Sequence, residues 1–415
     1  SIRYQHDSEG ALALLLRICR YVGVAPLGAR GARAGWHFTL SPPLAALHSI
    51  VMTLINIAAV TGVVLDFCQQ PEKRIRVGVS FMKASIWISD IVLTLLITSI
   101  AVYSAPARMG CLKRVLKQTH QINLDLNVSA PSAKTEKIKN MAIVSWMTLT
   151  VFVVAVFSGV IISLYSTYYV ANLQNVSVVM TWSLTAHAVY SAAAAVNQRL
   201  LWLQQGENVD ETVDIVCFIA QYGKSLLTFN KMLFSGAKHS IYTSQVQATI
   251  RYLALSHERI SAMMRQMNEN YGLMLMVVLM SIFLRLVLTP YYLLIRVTQR
   301  KNESNEGRDF LLELFQSFGW GLVLMANLLL TIEPCHWTHA QREHTSALLS
   351  QLIVHMTPIC ERISKELDQF AKQIMLSNVT FMPLGVYKLG RPLIAMVPFM
   401  RCLCITIFIV NFLYI

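Results

Sequence analysis

The chain has 415 residues, 55% of them hydrophobic and 14% charged. Soluble globular proteins carry about 45–50% apolar and about 25% charged residues, so these proportions exclude a disordered chain, disfavour an ordinary cytosolic enzyme and point to a polytopic membrane protein. The net charge of +13 would also fit a nucleic-acid binder, so the placement of the charges has to decide.

The chain opens at Ser1, and its numbering is expected to start after trimming. Residues 11–16 are apolar, but Arg17 and Arg20 follow at once. That run is too short for a signal-peptide core or a span. Residues 1–43 therefore read as an arm. The first uncharged stretch, S1, runs from Leu44 to Leu65, and S2 runs from Ala84 to Ala105 with one acid, Asp90. No Asp, Glu, Lys or Arg occurs between Asn140 and Gln198. One span needs about 20 residues, so this stretch reads as S3 (141–166), a connector, and S4 (178–198). S5 runs from Gly272 to Ile295 and carries Arg285; S6 runs from Leu314 to Ile332; S7 runs from Leu393 to Ile415 and carries Arg401. The resulting plan is all-α with seven transmembrane helices. It places S1–S4 within 44–202, a helical segment at 203–271, S5–S6 within 272–332, a second helical segment at 333–392, and S7 at 393–415.

Seven spans put the termini on opposite sides. Of the 35 Lys and Arg residues, 25 fall in the arm and in the S2–S3, S4–S5 and S6–S7 segments, 8 fall in the other three connections, and 2 lie within spans. The positive-inside rule then places the N-terminus in the cytoplasm and the C-terminus outside. The charge excess becomes an orientation signal and requires no nucleic acid. The sequons at Asn175 and Asn302 fall in predicted outside loops; those at Asn127 and Asn378 fall inside, where they should go unused. Among the eight cysteines only Cys68 lies in an outside loop, so no extracellular disulfide is expected. A G-protein-coupled receptor would need the N-terminus outside, which the charges oppose.

The segments 203–271 and 333–392 are too long for bare loops. Val246, Ile250, Leu253, Ile260, Met263 and Met267 recur at helical spacing, as do Leu348, Leu352, Ile359, Ile363, Leu367 and Phe370. Pro358 should interrupt the second helix. Both stripes read either as packing within the chain or as a subunit interface.

Enzymatic motifs are lacking. His257-Glu258-Arg259-Ile260-Ser261 misses the second histidine of a zinc helix. His336, His339 and Glu343, beside Cys335 and His344, have metal-compatible spacing but read better as a polar helix face. Gly23, Gly28, Gly31 and Gly35 follow no strand, so a dinucleotide loop is not supported. No metal, cofactor or catalytic residue is expected.

Charges within spans are costly and tend to mark pairs or pathways. Asp90 and Arg285 are expected to face the protein interior and to pair, or to offer one member to a ligand. On S7, Arg401, Cys404, Phe408, Asn411 and Ile415 share one stripe. That stripe either lines water or holds an arginine that snorkels within a monomer.

These features resemble the insect gustatory receptors over nearly the whole chain. The resemblance rests on Leu16 to Pro26 before S1; on Ser256-His257-Glu258, Asn270, Gly272, Leu286 to Thr289 and Tyr291; and most of all on Glu333-Pro334-Cys335-His336 with Arg342 and Thr345. The last two signatures resemble the fructose-sensing lineage. The resemblance implies a ligand-gated nonselective cation channel in the plasma membrane, built as a homotetramer around S7 and held by the cytoplasmic helices, with a tastant pocket in the outer half of each subunit between S2 and S6. It implies aromatic pocket residues at Trp182 and Trp320, with Gln316, Ser317, Thr185, His187, Tyr291 and Tyr165 at suitable depth to hydrogen-bond a sugar. Pro290 should break S5 locally and re-aim its neighbours. The gate is implied at Asn411-Phe412, where the family's usual Gln-Phe is replaced by Asn-Phe; Leu413-Tyr414 is the competing register. A ring of Arg401 side chains would oppose the passage of monovalent and divalent cations. The implied function is a sugar-gated channel, with fructose first. A receptor for bitter or other plant compounds on the same scaffold is the alternative, and a metabotropic receptor or a transporter is further off, since no internal repeat is visible.

Overall fold

A computed structural model describes residues 11–32, 35–69, 81–126, 141–146, 148–150, 162–205, 235–299, 307–356, 361–377 and 379–395. The architecture is a helical bundle with one small hairpin. The helices are α1 (Ala11–Tyr21), α2 (Pro42–Cys68), α3 (Phe81–Tyr103), α4 (Ala105–Asp125), α5 (Ile162–Gln205), α6 (Ser235–Gln299), α7 (Gly307–Met356) and α8 (Glu361–Leu376). The two strands, β1 (Leu27–Ala32) and β2 (Gly35–Leu40), pair antiparallel with Leu27 opposite Leu40. The hairpin amends the all-α expectation. Gly28, Gly31 and Gly35 lie within its two strands.

Helix α2 shows what solvent this fold expects. Its 27 residues bury only Met52 and Asp66, while Leu47, Ile50, Leu54, Ile57 and Val64 are exposed. In water such a helix would be unstable; facing hydrocarbon it needs no apolar partner. Pro42 and Pro43 sit in its first turn, where their missing N–H groups cost nothing. Among the described residues, α2 and the Val246–Leu286 stretch of α6 are long and apolar enough to cross a membrane, as is the pair α3–α4, which bends by 60°. Polar links tie α2 to α3: Thr53 and Tyr103 share a hydroxyl contact at 2.8 Å, and Asn56 donates to Ser99 at 2.9 Å.

The bend after Tyr103 has a local cause. Pro106 lies in the first turn of α4 and cannot continue the ladder of α3. Arg108 then folds back, donating to the Ala101 carbonyl and, at 3.1 Å, to Ser104 Oγ. A cation over the carbonyl end of α3 is favourable for the helix dipole.

Three long helices run through the boundaries expected from the sequence. Helix α6 joins the 203–271 segment to S5 without a break and continues through Pro290. A proline removes one hydrogen bond, and inside a packed bundle the helix can absorb that loss. Helix α7 likewise carries S6 into the following segment, with Pro334 in its interior. Helix α5 covers both S4 and the expected S3–S4 connector. Asn175 is 7% exposed within that helix, so its sequon is packed rather than offered in a loop. The Asn302, Asn127 and Asn378 sequons lie outside the described residues. Helix α7 ends at Met356 and α8 begins at Glu361, so Pro358 falls between two helices as expected.

The core lies where α5 and α7 run together, with α3, α4 and α6 packed around them. Helix α1 closes one side: Cys19 Sγ meets Thr181 Oγ1 at 3.4 Å, and Gln174 donates to the Val22 carbonyl at 2.9 Å.

Candidate functional site

Two centres, one polar and one aromatic, stand at different levels of the bundle. The upper one is built on Arg285. Its Nε donates to Asp90 Oδ1 at 2.5 Å, its Nη1 to Asn172 Oδ1 at 3.0 Å, and its Nη2 to Thr94 Oγ1. Arg285, Asn172 and Thr94 are all buried. Asp90 and Thr94 lie one turn apart on α3 and so present to the same side; Asn172 comes from α5 and Arg285 from α6. The fork geometry of a guanidinium lets one side chain bind three partners on two other helices. The expected Asp90–Arg285 pair is therefore formed, and Thr94 and Asn172 complete it. Sequence reading missed both, because a threonine inside an apolar run is common and Asn172 had been placed in a connector.

The lower centre is aromatic. Trp182 is fully buried, and its Nε1 donates to the Thr331 carbonyl at 3.1 Å. Its ring packs against Tyr271 (centroids 5.4 Å apart) and edge-on to Phe381 (5.5 Å). Arg108 lies 5.8 Å from the centre of the Tyr271 ring. The two centres are 10 residues apart along α5 and 14 along α6, so at 1.5 Å per residue they lie about 15–21 Å apart.

This spacing divides the sequence-predicted pocket. Trp182 packs level with Thr331, 11 residues along α7 from Trp320, so the two tryptophans are separated by about 16 Å of helix. Thr185 and His187 lie further still from Trp320. His187 stacks on Tyr190 at 5.4 Å and meets Trp337 edge-on at 6.4 Å. The backbones at Tyr165, Tyr291, Gln316, Ser317 and Trp320, by contrast, are level with the Arg285 centre or beyond it. The side chains of those five residues lie outside the described residues. The S7 residues Arg401, Cys404, Phe408, Asn411 and Phe412 also lie outside them.

Of the residues that carried the resemblance, Gly272, Glu333 and Arg342 meet a strap formed by residues 377 and 379–390 beside the lower centre, whereas Leu286 to Thr289 and Tyr291 lie at the level of the upper one. Arg342 donates to the carbonyls of Val379 and Ser377, and His339 Nε2 accepts the Phe381 amide at 3.0 Å. From α6, Asn268 donates to the Thr380 carbonyl at 2.7 Å and accepts the Met382 amide at 3.2 Å. Gly272 has a structural reason: a Cβ there would stand 3.1 Å from the Leu384 amide nitrogen. Leu384 itself takes a left-handed φ of 52°. Glu333 pairs with Arg391 through two contacts of 3.0 and 3.2 Å. Cys335 is buried and donates to the Thr331 carbonyl. The residue after it, His336, is half-buried, and Pro334 lends its carbonyl to Thr338 at 2.8 Å. Thr345 donates to Asn197 at 2.6 Å. The burial that fixes His339 also pushes its pKa down to about 4, helped by the positive charges of Lys388 and Arg342, and the acceptor role at Phe381 requires the neutral ring. Gly272, Glu333 and Arg342, together with Asn268 and His339, thus hold the segment that leads to Leu393.

Residues 12–409 match the description of the 7tm chemosensory receptors. A relative, the gustatory receptor for sugar taste 43a of Drosophila melanogaster, is 22% identical over 147 residues, covering 35% of this chain and 32% of its own length. The match therefore spans about a third of that relative. The insect olfactory receptor OR5 of Machilis hrabei has a similar fold, with a TM-score of 0.52 at 9% identity, covering 96% of this chain and 97% of its own. The lipid-facing helix α2, the buried intramembrane ion pair and a family match over almost the full length converge: the chain is a multi-pass membrane protein, not an enzyme, and it belongs to the insect chemosensory receptor family.

Proposed function

We propose that this receptor is a ligand-gated, nonselective cation channel of the plasma membrane, opened by a simple sugar, with fructose first. The chain crosses the membrane seven times with its N-terminus in the cytoplasm, and four copies surround a pore lined by S7. The observation that carries the reading is the Arg285 centre. A fully partnered ion pair joining three membrane helices is an element whose packing a ligand bound next to it can shift. The resemblance of the Glu333–His336 signature to the fructose-sensing lineage, and the partial match to a sugar receptor, support the ligand class.

In this reading Trp320, Gln316, Ser317, Tyr291 and Tyr165 form the sugar site on the far side of the Arg285 centre. An aromatic face packs the C–H face of a hexose while amide and hydroxyl groups bond its OH groups, and a site built on such bonds rejects analogues strongly. Trp182, Thr185 and His187 belong instead to the coupling region beneath. Sugar binding moves α6 against α3 and α5. The strap, gripped by Asn268 and His339, passes that motion to S7, and Phe412 leaves the axis. The sugar must bind the open arrangement more tightly, or it shifts nothing.

Whole-cell current in a heterologous cell against a panel of hexoses and plant alkaloids tests the reading. A current with fructose that falls when Trp320 becomes Ala is expected. Current with an alkaloid and none with any hexose would replace the sugar reading by the plant-compound one.

A further inference from the structure

We propose that His257, Ser261, Arg342 and Ser377 enclose a binding site for a small monovalent anion of the size of chloride, buried beneath the spans where α6, α7 and the strap meet. The proposal stands independently of the ligand and pore assignments above.

Arg342 is 9% exposed. Its two terminal nitrogens are used on strap carbonyls, but its Nε is buried with no hydrogen-bond partner. Among the described residues no carboxylate pairs with it. Arg251, Arg285 and Arg391 differ, since each meets a glutamate or aspartate. His257 is 2% exposed, and both of its ring nitrogens lack a partner. It lies near enough to Arg342 for that charge to disfavour its protonation, in addition to the larger effect of burial. Ser261 follows one turn later on the same helix, fully buried, with its hydroxyl unpaired. Ser377, whose carbonyl already takes Arg342 Nη2, leaves its own hydroxyl unpaired as well.

Buried polar atoms in native proteins are paired with protein, water or an ion. Here unpaired atoms on His257 and Ser377 lie close to one uncompensated cation on α7, and Ser261 adds another on the same side of α6 as His257. The nearby charges are of the same sign: Lys388 and Arg342 both act on the adjacent His339. Glu258, next to His257, is exposed and lies 3.5 Å from Gln373, so it does not supply the missing negative charge. Water would satisfy the hydrogen bonds but leave the guanidinium charge uncompensated in a buried place, which is costly. An anion does both. The hydroxyls and the Arg342 Nε–H supply donors, and neutral His257 can turn one N–H toward the ion.

Thermal unfolding of the full-length purified receptor, in sodium chloride and in sodium gluconate at equal ionic strength, tests the site. Wild type should show a Tm that rises saturably with chloride, and bromide should substitute. Ser261→Ala, a small change expected to leave the fold intact, should raise the half-saturating chloride concentration at least threefold. Arg342→Gln should abolish the chloride increment. Equal Tm values in chloride and gluconate at every concentration overturn the proposal and leave water in the site. A chloride increment that Ser261→Ala retains unchanged is a general salt effect and overturns it equally.

Discussion

A charged side chain at mid-span costs about 2.5–3.5 kcal/mol on insertion scales, and removing one member of a buried pair costs about 3–5 kcal/mol because the other is left uncompensated. Asp90 and Arg285 therefore stand or fall together. Asp90→Arg and Arg285→Asp are each expected to abolish surface delivery and agonist current. The double swap should restore surface delivery, only in part, because Thr94 and Asn172 are placed to accept from a guanidinium on α6. Surface biotinylation of the three variants checks this, and a double variant as poor as the singles would remove the pairing. The two tryptophans make a second comparison. Trp182 is fully buried among aromatic rings, so Trp182→Ala should cost about 3–5 kcal/mol of stability and lower expression and Tm. Trp320→Ala should instead weaken agonist potency with little change in Tm. Potency and melting curves measured on both variants separate the proposed coupling region from the proposed sugar site.

At the scale of elements, the strap is where the bundle grips the chain ahead of the proposed S7. Among its described residues the regular structure is the short Pro383–Gly385 turn, and side chains from α6 and α7 hold it. The His339 contact makes that grip pH-dependent. Burial first, then Lys388 and Arg342, lower the His339 pKa to about 4, below its ordinary value in the unfolded chain. A base whose folded pKa is depressed contributes stability that is full above about pH 6.5 and is lost as pH falls toward 4, because the unfolded chain binds the extra proton. His257, also lowered to about 4 by burial, contributes with the same sign. Melting temperatures measured between pH 7 and 4.5 should therefore fall on acidification. His339→Gln, whose amide oxygen can still accept the Phe381 amide, should flatten that slope. An unchanged slope would assign the acid sensitivity elsewhere.

At the scale of the whole molecule, orientation is the property that the charges predict and that separates the proposed channel from a metabotropic seven-span receptor. An epitope tag at the N-terminus should stain only after permeabilisation, and a tag following Ile415 should stain on intact cells. An N-terminal tag visible on intact cells would reverse the proposed topology and with it the assignment of the sugar site to the outer half. The packing of α1 against α5 through Cys19 and Gln174 then fixes which part of α5 lies near the cytoplasm.

The sequence by itself determined that this is a membrane protein and that Asp90 and Arg285 need partners. Those properties follow from composition and local pattern, because hydrocarbon admits only helices with satisfied backbones and few charges. The Glu333–His336 signature was also legible, though only as a likeness. The tertiary structure alone decided which residues share a level. Periodicity gives the face of a helix but not its axial offset against a neighbour, so Trp182 and Trp320 looked alike in sequence and stand about 16 Å apart along the bundle. It alone showed that α5 runs unbroken through the expected connector, because an uncharged polar stretch such as Asn172–Ser177 reads the same in a loop and in a packed helix. It also showed why Gly272, His339 and Arg342 matter. Their partners lie more than 30 residues away in the chain, and a contact between backbone and side chain at that distance leaves no spacing rule in the sequence.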